Sequence, residues 1–217
     1  MTEDPPRNAK IPPPPSWHSL TERFPDNRAC LASFLALESA EIIAGVKPGN
    51  LVNIVNRVRH CGRNPYELWH IHGEALLAGT ELRAFVLLDR GSSLLLYLYR
   101  RDLLQNVLDH RPVSAILGDC GYRDPARLIP TLDELRARVA TGPFPHEIGI
   151  FLGYPLKDVL AFMGQIDLPF TCQGPWKIYG NPRQSLELAA CYRRCRCRMA
   201  LRLAADVDPV RCLQLAA

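Results

Sequence analysis

The chain has no apolar run near the roughly 18–20 residues that a membrane-spanning helix needs. Its longest, Ser92–Tyr99, is strand-sized, which excludes a spanning helix from the reading. The start, Met1–Lys10, lacks the apolar stretch of a secretory signal, because Glu3, Asp4, Pro5 and Pro6 interrupt it, so the expected location is the cytoplasm. Walker-type phosphate loops, Gly-x-Gly-x-x-Gly fingerprints and Gly-x-Ser-x-Gly elbows are missing, which leaves a nucleotide hydrolase or an α/β-hydrolase unsupported. Internal repeats are missing too. Lysine is scarce, with only Lys10, Lys47, Lys157 and Lys177 among 26 basic residues.

What is present is an ordinary globular composition, 47% hydrophobic and 22% charged over 217 residues, enough for one well-packed core. The net charge of +4 is uneven. Arg183, Arg193, Arg194, Arg196, Arg198 and Arg202 face only Glu187 within twenty residues, a local +5 that leaves about −1 for everything else. Eight cysteines in a cytoplasmic chain of this size read as reduced thiols, most of them small core residues.

Seven of nineteen prolines precede residue 26, including Pro12–Pro15, so residues 1–27 are expected to form a disordered or polyproline leader, with Trp17 the one residue there that packs back on the domain. Residues 28–203 are assigned to a single domain and 204–217 to a tail of unassigned order. Apolar spacing predicts helices over Arg28–Ala44, over Leu51–Val58 with Asn50 as cap, and over Pro65–Ala78. Two apolar runs flanking Asp89-Arg90-Gly91-Ser92-Ser93 predict a β-hairpin over Glu81–Tyr99, covered by helices on both faces. Helices follow at Asp102–Asp109 and at Thr131–Val139, the latter with Thr131 and Glu134 as a capping box. His146–Leu152 reads as a strand feeding a helix through Gly153-Tyr154-Pro155, Gln173–Tyr179 as a last strand, and Arg183 to about Ala200 as a final helix. The expected fold is α/β or α+β, a small mixed sheet with a central β-hairpin, covered by helices.

Two signatures stand out, His-Glu-Ile-Gly-Ile-Phe-Leu-Gly-Tyr-Pro-Leu-Lys-Asp-Val over 146–159 and Trp-Lys-Ile-Tyr-Gly over 176–180. With Ala44-Gly45-Val46-Lys47-Pro48 and the hairpin end Leu96–Arg100, they make residues 29–198 resemble the bacterial family called domain of unknown function 3793. The resemblance brings no established activity; it implies a distribution among anaerobic bacteria and a link to iron or redox gene neighbourhoods. It implies nothing for the Pro-rich leader, for Trp69-His70-Ile71-His72 or for the chain beyond Ala200.

The residues offer three chemistries. The Gly153-Tyr154-Pro155 turn, where a strand end meets a helix start, is a place for a ligand, and Lys47 and Lys177 are the lysines to set beside it. On a strand, His146 and Glu147 point to opposite faces, so either acts alone as the acid or base of an enzyme on a small molecule. Cys191 and Cys195 share one helix face, while Cys197 lies about 200° further round. Binding of iron, zinc or an iron–sulfur cluster by these three therefore requires the helix to break near Arg194, with neighbouring arginines favouring thiolate. His70 and His72, with Glu74 as the nearest carboxylate, make a weaker set. The basic helix from Arg183 to Arg202 suits an acidic protein partner such as a flavodoxin-like electron carrier. It suits nucleic acid less, because only Tyr192 interleaves the arginines. The leading reading is a cytosolic binding or accessory protein, with the small-molecule enzyme and the metal protein as alternatives.

Overall fold

The computed structural model describes Trp17 and residues 23–205 and 207–214. In chain order the elements are α1 (Asn27–Glu38), α2 (Ala40–Ile43), β1 (Gly49–Val55), α3 (Pro65–Leu77), β2 (Leu82–Asp89), β3 (Ser93–Arg100), α4 (Arg101–Leu108), α5 (Arg111–Asp119), α6 (Leu128–Thr141), α7 (Ile148–Phe151), α8 (Leu156–Phe162), β4 (Phe170–Gln173), β5 (Lys177–Tyr179), α9 (Arg183–Ala204) and α10 (Pro209–Gln214). The strands form a three-stranded sheet in the order β1-β3-β2 and a separate β4-β5 hairpin. Every pairing is antiparallel, so the sheet is not mixed and the fold is of the α+β kind.

The β2–β3 hairpin forms where two apolar runs flank a turn. Gly91 takes a φ of 71° that glycine adopts freely, and the Asp89 carboxylate accepts its N–H at 2.8 Å. β3 is the central strand and is buried on both faces. Leu94, Leu96 and Leu98 enter one core with Val52, Ile54, Leu82 and residues of α1, α3, α9 and α10. Tyr97 and Tyr99 enter a second core with residues of α4, α5, α6, α7 and α8. Near-continuous apolarity along a strand is what such two-sided burial requires. β2 carries one extra residue against β3, between the pairs Val86↔Leu96 and Leu88↔Leu95, a bulge that places Leu87 in the second core.

Several expectations are corrected. Residues 51–55 belong to β1 and not to a helix, the strand pairing with β3 from Gly49↔Tyr99 to Val55↔Ser93. Their β-branched residues favour a pleated surface, and alternation buries Val52 and Ile54 while Asn53 and Val55 face out. The segment around His146–Leu152 is no strand. Ile148–Phe151 is one helical turn with all four residues buried, so neither a strand nor a helix period marks its sequence. Gln173–Tyr179 is the turn and second half of a hairpin whose first half is Phe170–Gln173. The helix from Asn27 is interrupted at Ser39, whose backbone (φ −109°, ψ 11°) leaves the helical region. Thr131 caps nothing. α6 begins three residues earlier, Thr131 sits inside it donating to the Arg127 carbonyl at 2.8 Å, and Glu134 accepts the Arg123 N–H. α5 was not foreseen, and neither was α10, which packs into the first core through Cys212 and Leu213.

Of the leader expected over residues 1–27, most lies outside the described residues. Trp17 does pack back on the domain, with its indole N–H donating to Ser33 Oγ at 3.0 Å and its ring edge-on to Phe34. None of the described helices is long and apolar enough to cross a membrane.

Tyr97 joins the sheet to the second helical layer. It is fully buried and its hydroxyl donates to the Phe151 carbonyl at 2.7 Å, passing directly over Gly49. A Cβ on Gly49 would sit 2.2 Å from that hydroxyl. Gly49→Ala should therefore cost about 1–3 kcal/mol by overpacking, read as a lower urea midpoint at unchanged m-value.

Candidate functional site

The motif segments, far apart in the chain, meet at a small third core of Trp176, Ile178, Ala189 and Tyr192, which shares Tyr154 with the second core. Its tie is Asp158 on α8, 2% exposed. The carboxylate accepts from Lys157 Nζ at 2.7 Å, Trp176 Nε1 at 2.9 Å, the Tyr179 N–H at 3.0 Å and Ser185 Oγ at 2.5 Å. One acidic side chain thus binds α8, the β4–β5 hairpin and α9 together. Burial by itself pushes this carboxyl up, but the bonds from Lys157, Ser185, Tyr179 and Trp176 outweigh it and hold it below the usual carboxylate range.

Held by Asp158, the Trp176 indole stacks on the Tyr154 ring, centroids 4.4 Å apart, and meets Tyr192 at 6.2 Å. Gly153 turns the chain between α7 and α8 with a φ of 67°, and a Cβ there would lie 2.5 Å from Pro48 Cδ. Only glycine lets the Lys47-Pro48 loop lie against this turn. The Tyr192 hydroxyl donates to the Gly153 carbonyl at 3.0 Å and fixes α9 to the same point.

Lys47 lies over these rings, its Nζ 5.2 Å from the centroid of Tyr192 and 5.8 Å from that of Tyr154. It is 7% exposed, and its amine donates to Asn50 Oδ1 at 2.9 Å. Asn50 is oriented in turn by donating to the Glu38 carbonyl at 2.8 Å. Glu41, 6% exposed, adds a buried carboxylate to this region, and Arg196 reaches in from α9 to pair with Glu38. Burial pushes the Lys47 amine down to about 8, and pushes the Glu41 carboxyl up. Three buried polar atoms here lack a partner, namely Ser39 Oγ, Glu41 Oε2 and Arg196 Nε. Beside Tyr154 opens a largely apolar cavity of about 330 Å³, lined by Asn106, Val107, His110, Val113, Ile150, Gly153 and Leu156.

Gly153, Tyr154 and Lys47 are thus brought together. Lys177 is not among them. On β5 its neighbours Trp176 and Ile178 point inward while Lys177 is exposed, with Nζ 5.3 Å from the Phe162 ring. Glu41, Asn50 and Tyr192 were not singled out as site residues. A lone Glu between buried Ala40 and Ile42 was the available signal for the first.

The pair His146 and Glu147 belongs to the turn before α7 and not to a strand. His146 is exposed, edge-on to Phe162 at 4.8 Å. Glu147 is buried, accepts from the Tyr122 hydroxyl at 3.2 Å and lies 3.6 Å from Arg138, an arrangement that occupies its carboxylate.

The required helix break near Arg194 is absent. α9 runs unbroken through Cys197 to Ala204, so Cys197 stays on a different face from Cys191 and Cys195. Burial raises the Cys195 thiol despite its hydrogen bond from Arg198, the opposite of the expected thiolate. Among the described residues no three His, Cys, Asp or Glu side chains are grouped to hold a metal ion. His70 and His72 sit on helical α3, where His70 lies 3.5 Å from Asp89.

A match to the family described as protein of unknown function (DUF3793) spans residues 35–212, most of the chain. The chain belongs to the DUF3793 family. Neither a curated protein nor a solved structure matches it. Three of the segments singled out in the sequence contribute to one contact region, through Lys47 and Pro48, through Gly153, Tyr154 and Asp158, and through Trp176 and Tyr179.

Asp158 gives a test of this centre. Its folded pKa lies below the unfolded value of about 3.9, so its contribution is present above that value and is lost as pH falls through the folded one. Asp158→Asn should lower stability at pH 7 by on the order of 3 kcal/mol. The gap between variant and wild type should narrow at pH 3, measured from urea midpoints at both values.

Proposed function

We propose that this DUF3793 protein is a binding protein that docks an acidic protein partner on the outer face of α9. The observation that carries the reading is a row of three exposed arginines, Arg194, Arg198 and Arg202, spaced four residues apart on one stripe of the helix. They rise about 6 Å per step. None of the three has a described carboxylate at ion-pair distance, whereas Arg196 on the inner side pairs with Glu38, and Arg183 pairs with Glu187. Beside the row, Leu201 is 69% exposed. Arginines around an exposed apolar residue are a common composition for protein interfaces.

Tyr192, the aromatic residue within the arginine cluster, is buried against Trp176. It offers no stacking platform to a base, which favours a protein partner over single-stranded nucleic acid. A second reading, small-molecule binding at the Gly153-Tyr154 turn, has the adjoining cavity with His110 and Asn106 on its wall in its favour.

The docking reading is tested by fluorescence anisotropy with a labelled ten-residue glutamate peptide and, in parallel, a labelled DNA duplex. The wild type should bind the peptide in a salt-sensitive manner, and the Arg194→Glu, Arg198→Glu, Arg202→Glu triple variant should bind at least about tenfold more weakly. Equal peptide binding by both proteins would refute it. Tighter binding to duplex than to peptide, lost in the same variant, would replace the protein partner with nucleic acid.

A further inference from the structure

Two thiols from distant parts of the chain meet beside Arg63. Cys30 lies at the start of α1, fully buried in the first core. Cys61 lies in the loop between β1 and α3 and is half-buried. That loop is closed twice. At its base the Asn64 side chain donates to Asn56 Oδ1 at 2.6 Å. Around Cys61, the Arg59 N–H donates to the Arg63 carbonyl at 2.8 Å, and the Gly62 N–H to the Arg59 carbonyl at 2.9 Å. Arg63 then fastens the turn to the first residues of α1, because its guanidinium donates to Asn27 Oδ1 at 3.2 Å and to the Pro25 carbonyl. Cys30 belongs to that same helical turn, its N–H bonded back to the Asp26 carbonyl at 2.9 Å. The Cys30 thiol accordingly feels both the Arg63 guanidinium and the Cys61 thiol, each close enough to act on it as a hydrogen-bonding group.

The two thiols differ in access. Cys61 is flanked by the exposed His60 and Gly62, and beyond the chain neighbours no atom lies within 4 Å of where a Cβ on Gly62 would stand, so the turn faces open space. Cys30 has no exposed surface. Burial pushes its thiol up to about 11, so it stays protonated at neutral pH, while Arg63 favours the anion it becomes when it attacks a neighbour. An accessible thiol beside a shielded second one is how an oxidation-sensing pair is built.

We propose that Cys61 and Cys30 form an oxidant-sensing pair, in which hydrogen peroxide oxidises Cys61 and Cys30 converts the product into a disulfide that ties the loop to α1. In the first step the Cys61 sulfur attacks one peroxide oxygen, the O–O bond breaks, and the other oxygen leaves as water with the thiol proton. Cys61 is then a sulfenic acid. In the second step the Cys30 sulfur attacks the Cys61 sulfur, the S–O bond breaks, and the hydroxyl leaves as water with the Cys30 proton. Two thiols and one peroxide become one disulfide and two waters, the sulfurs giving up the two electrons that the peroxide gains. A thiol reductant restores the pair.

The test treats the intact folded chain with hydrogen peroxide, blocks remaining thiols with N-ethylmaleimide, and maps the peptides by mass without reduction. The wild type should yield a linked Cys30–Cys61 peptide pair that dithiothreitol separates. In Cys61→Ser, a change in the loop, Cys30 should stay reduced under the same treatment. Cys30→Ser should lose the link and accumulate at least about tenfold more Cys61 sulfinic acid, since nothing then resolves the sulfenic acid. Absence of the link in the folded wild type, its appearance only after unfolding in urea, or equal Cys61 sulfinic acid with and without Cys30 would each overturn the proposal.

Discussion

The Asp158 carboxylate is the interaction on which the candidate site depends. A carboxylate offers about four lone-pair positions, and here all four receive a donor, from Lys157, Trp176, Tyr179 and Ser185. Burying such a group is tolerable only when it is satisfied in this way. The consequence spreads outward by contact. Asp158 fixes the Trp176 indole, Trp176 fixes the plane of Tyr154, and Tyr154 with Tyr192 makes the surface on which Lys47 rests. Segments that look unrelated in the sequence are the links of that chain.

Stability and site are supplied by different parts of the molecule. Strand β3 carries the packing load, with apolar side chains entering a core on each face and the Tyr97 hydroxyl joined to α7. The region around Lys47 follows another rule. It buries a lysine and a glutamate without bringing them into contact, and leaves Ser39, Glu41 and Arg196 each with an unpartnered atom. A protein under selection for stability alone would fill this volume with apolar side chains, since incomplete buried polar networks are costly. Retaining polar groups there points to a use other than holding the fold together.

How much was legible in the sequence follows from how each signal arises. The β2–β3 hairpin was plain, because two-sided burial writes an unbroken apolar run and the turn needs Asp89 and Gly91. β1 was hidden because Leu51, Val52, Ile54 and Val55 satisfy helical spacing as well as they satisfy an alternating strand. The long-range pairing with β3 that decides the matter is absent from local sequence. Residues 148–151 misled for another reason, since a turn buried on every side shows no period at all. At the site, Lys47, Gly153 and Tyr154 could be named from rarity and turn chemistry. Glu41 and Tyr192 gained their place only through the approach of α9 to the α1–α2 region, a tertiary event.

The bulge in β2 bears on how the protein behaves in a crowd of its own copies. β2 bonds to β3 along one side, and among the described residues no strand covers its other side. A regular uncovered edge is a template for another chain, and Val86 there is 41% exposed. The extra residue at Leu87 breaks the spacing of amides and carbonyls along that edge just where an incoming strand would seek a continuous ladder. The feature that packs Leu87 into the core thereby also opposes growth of the sheet into an aggregate.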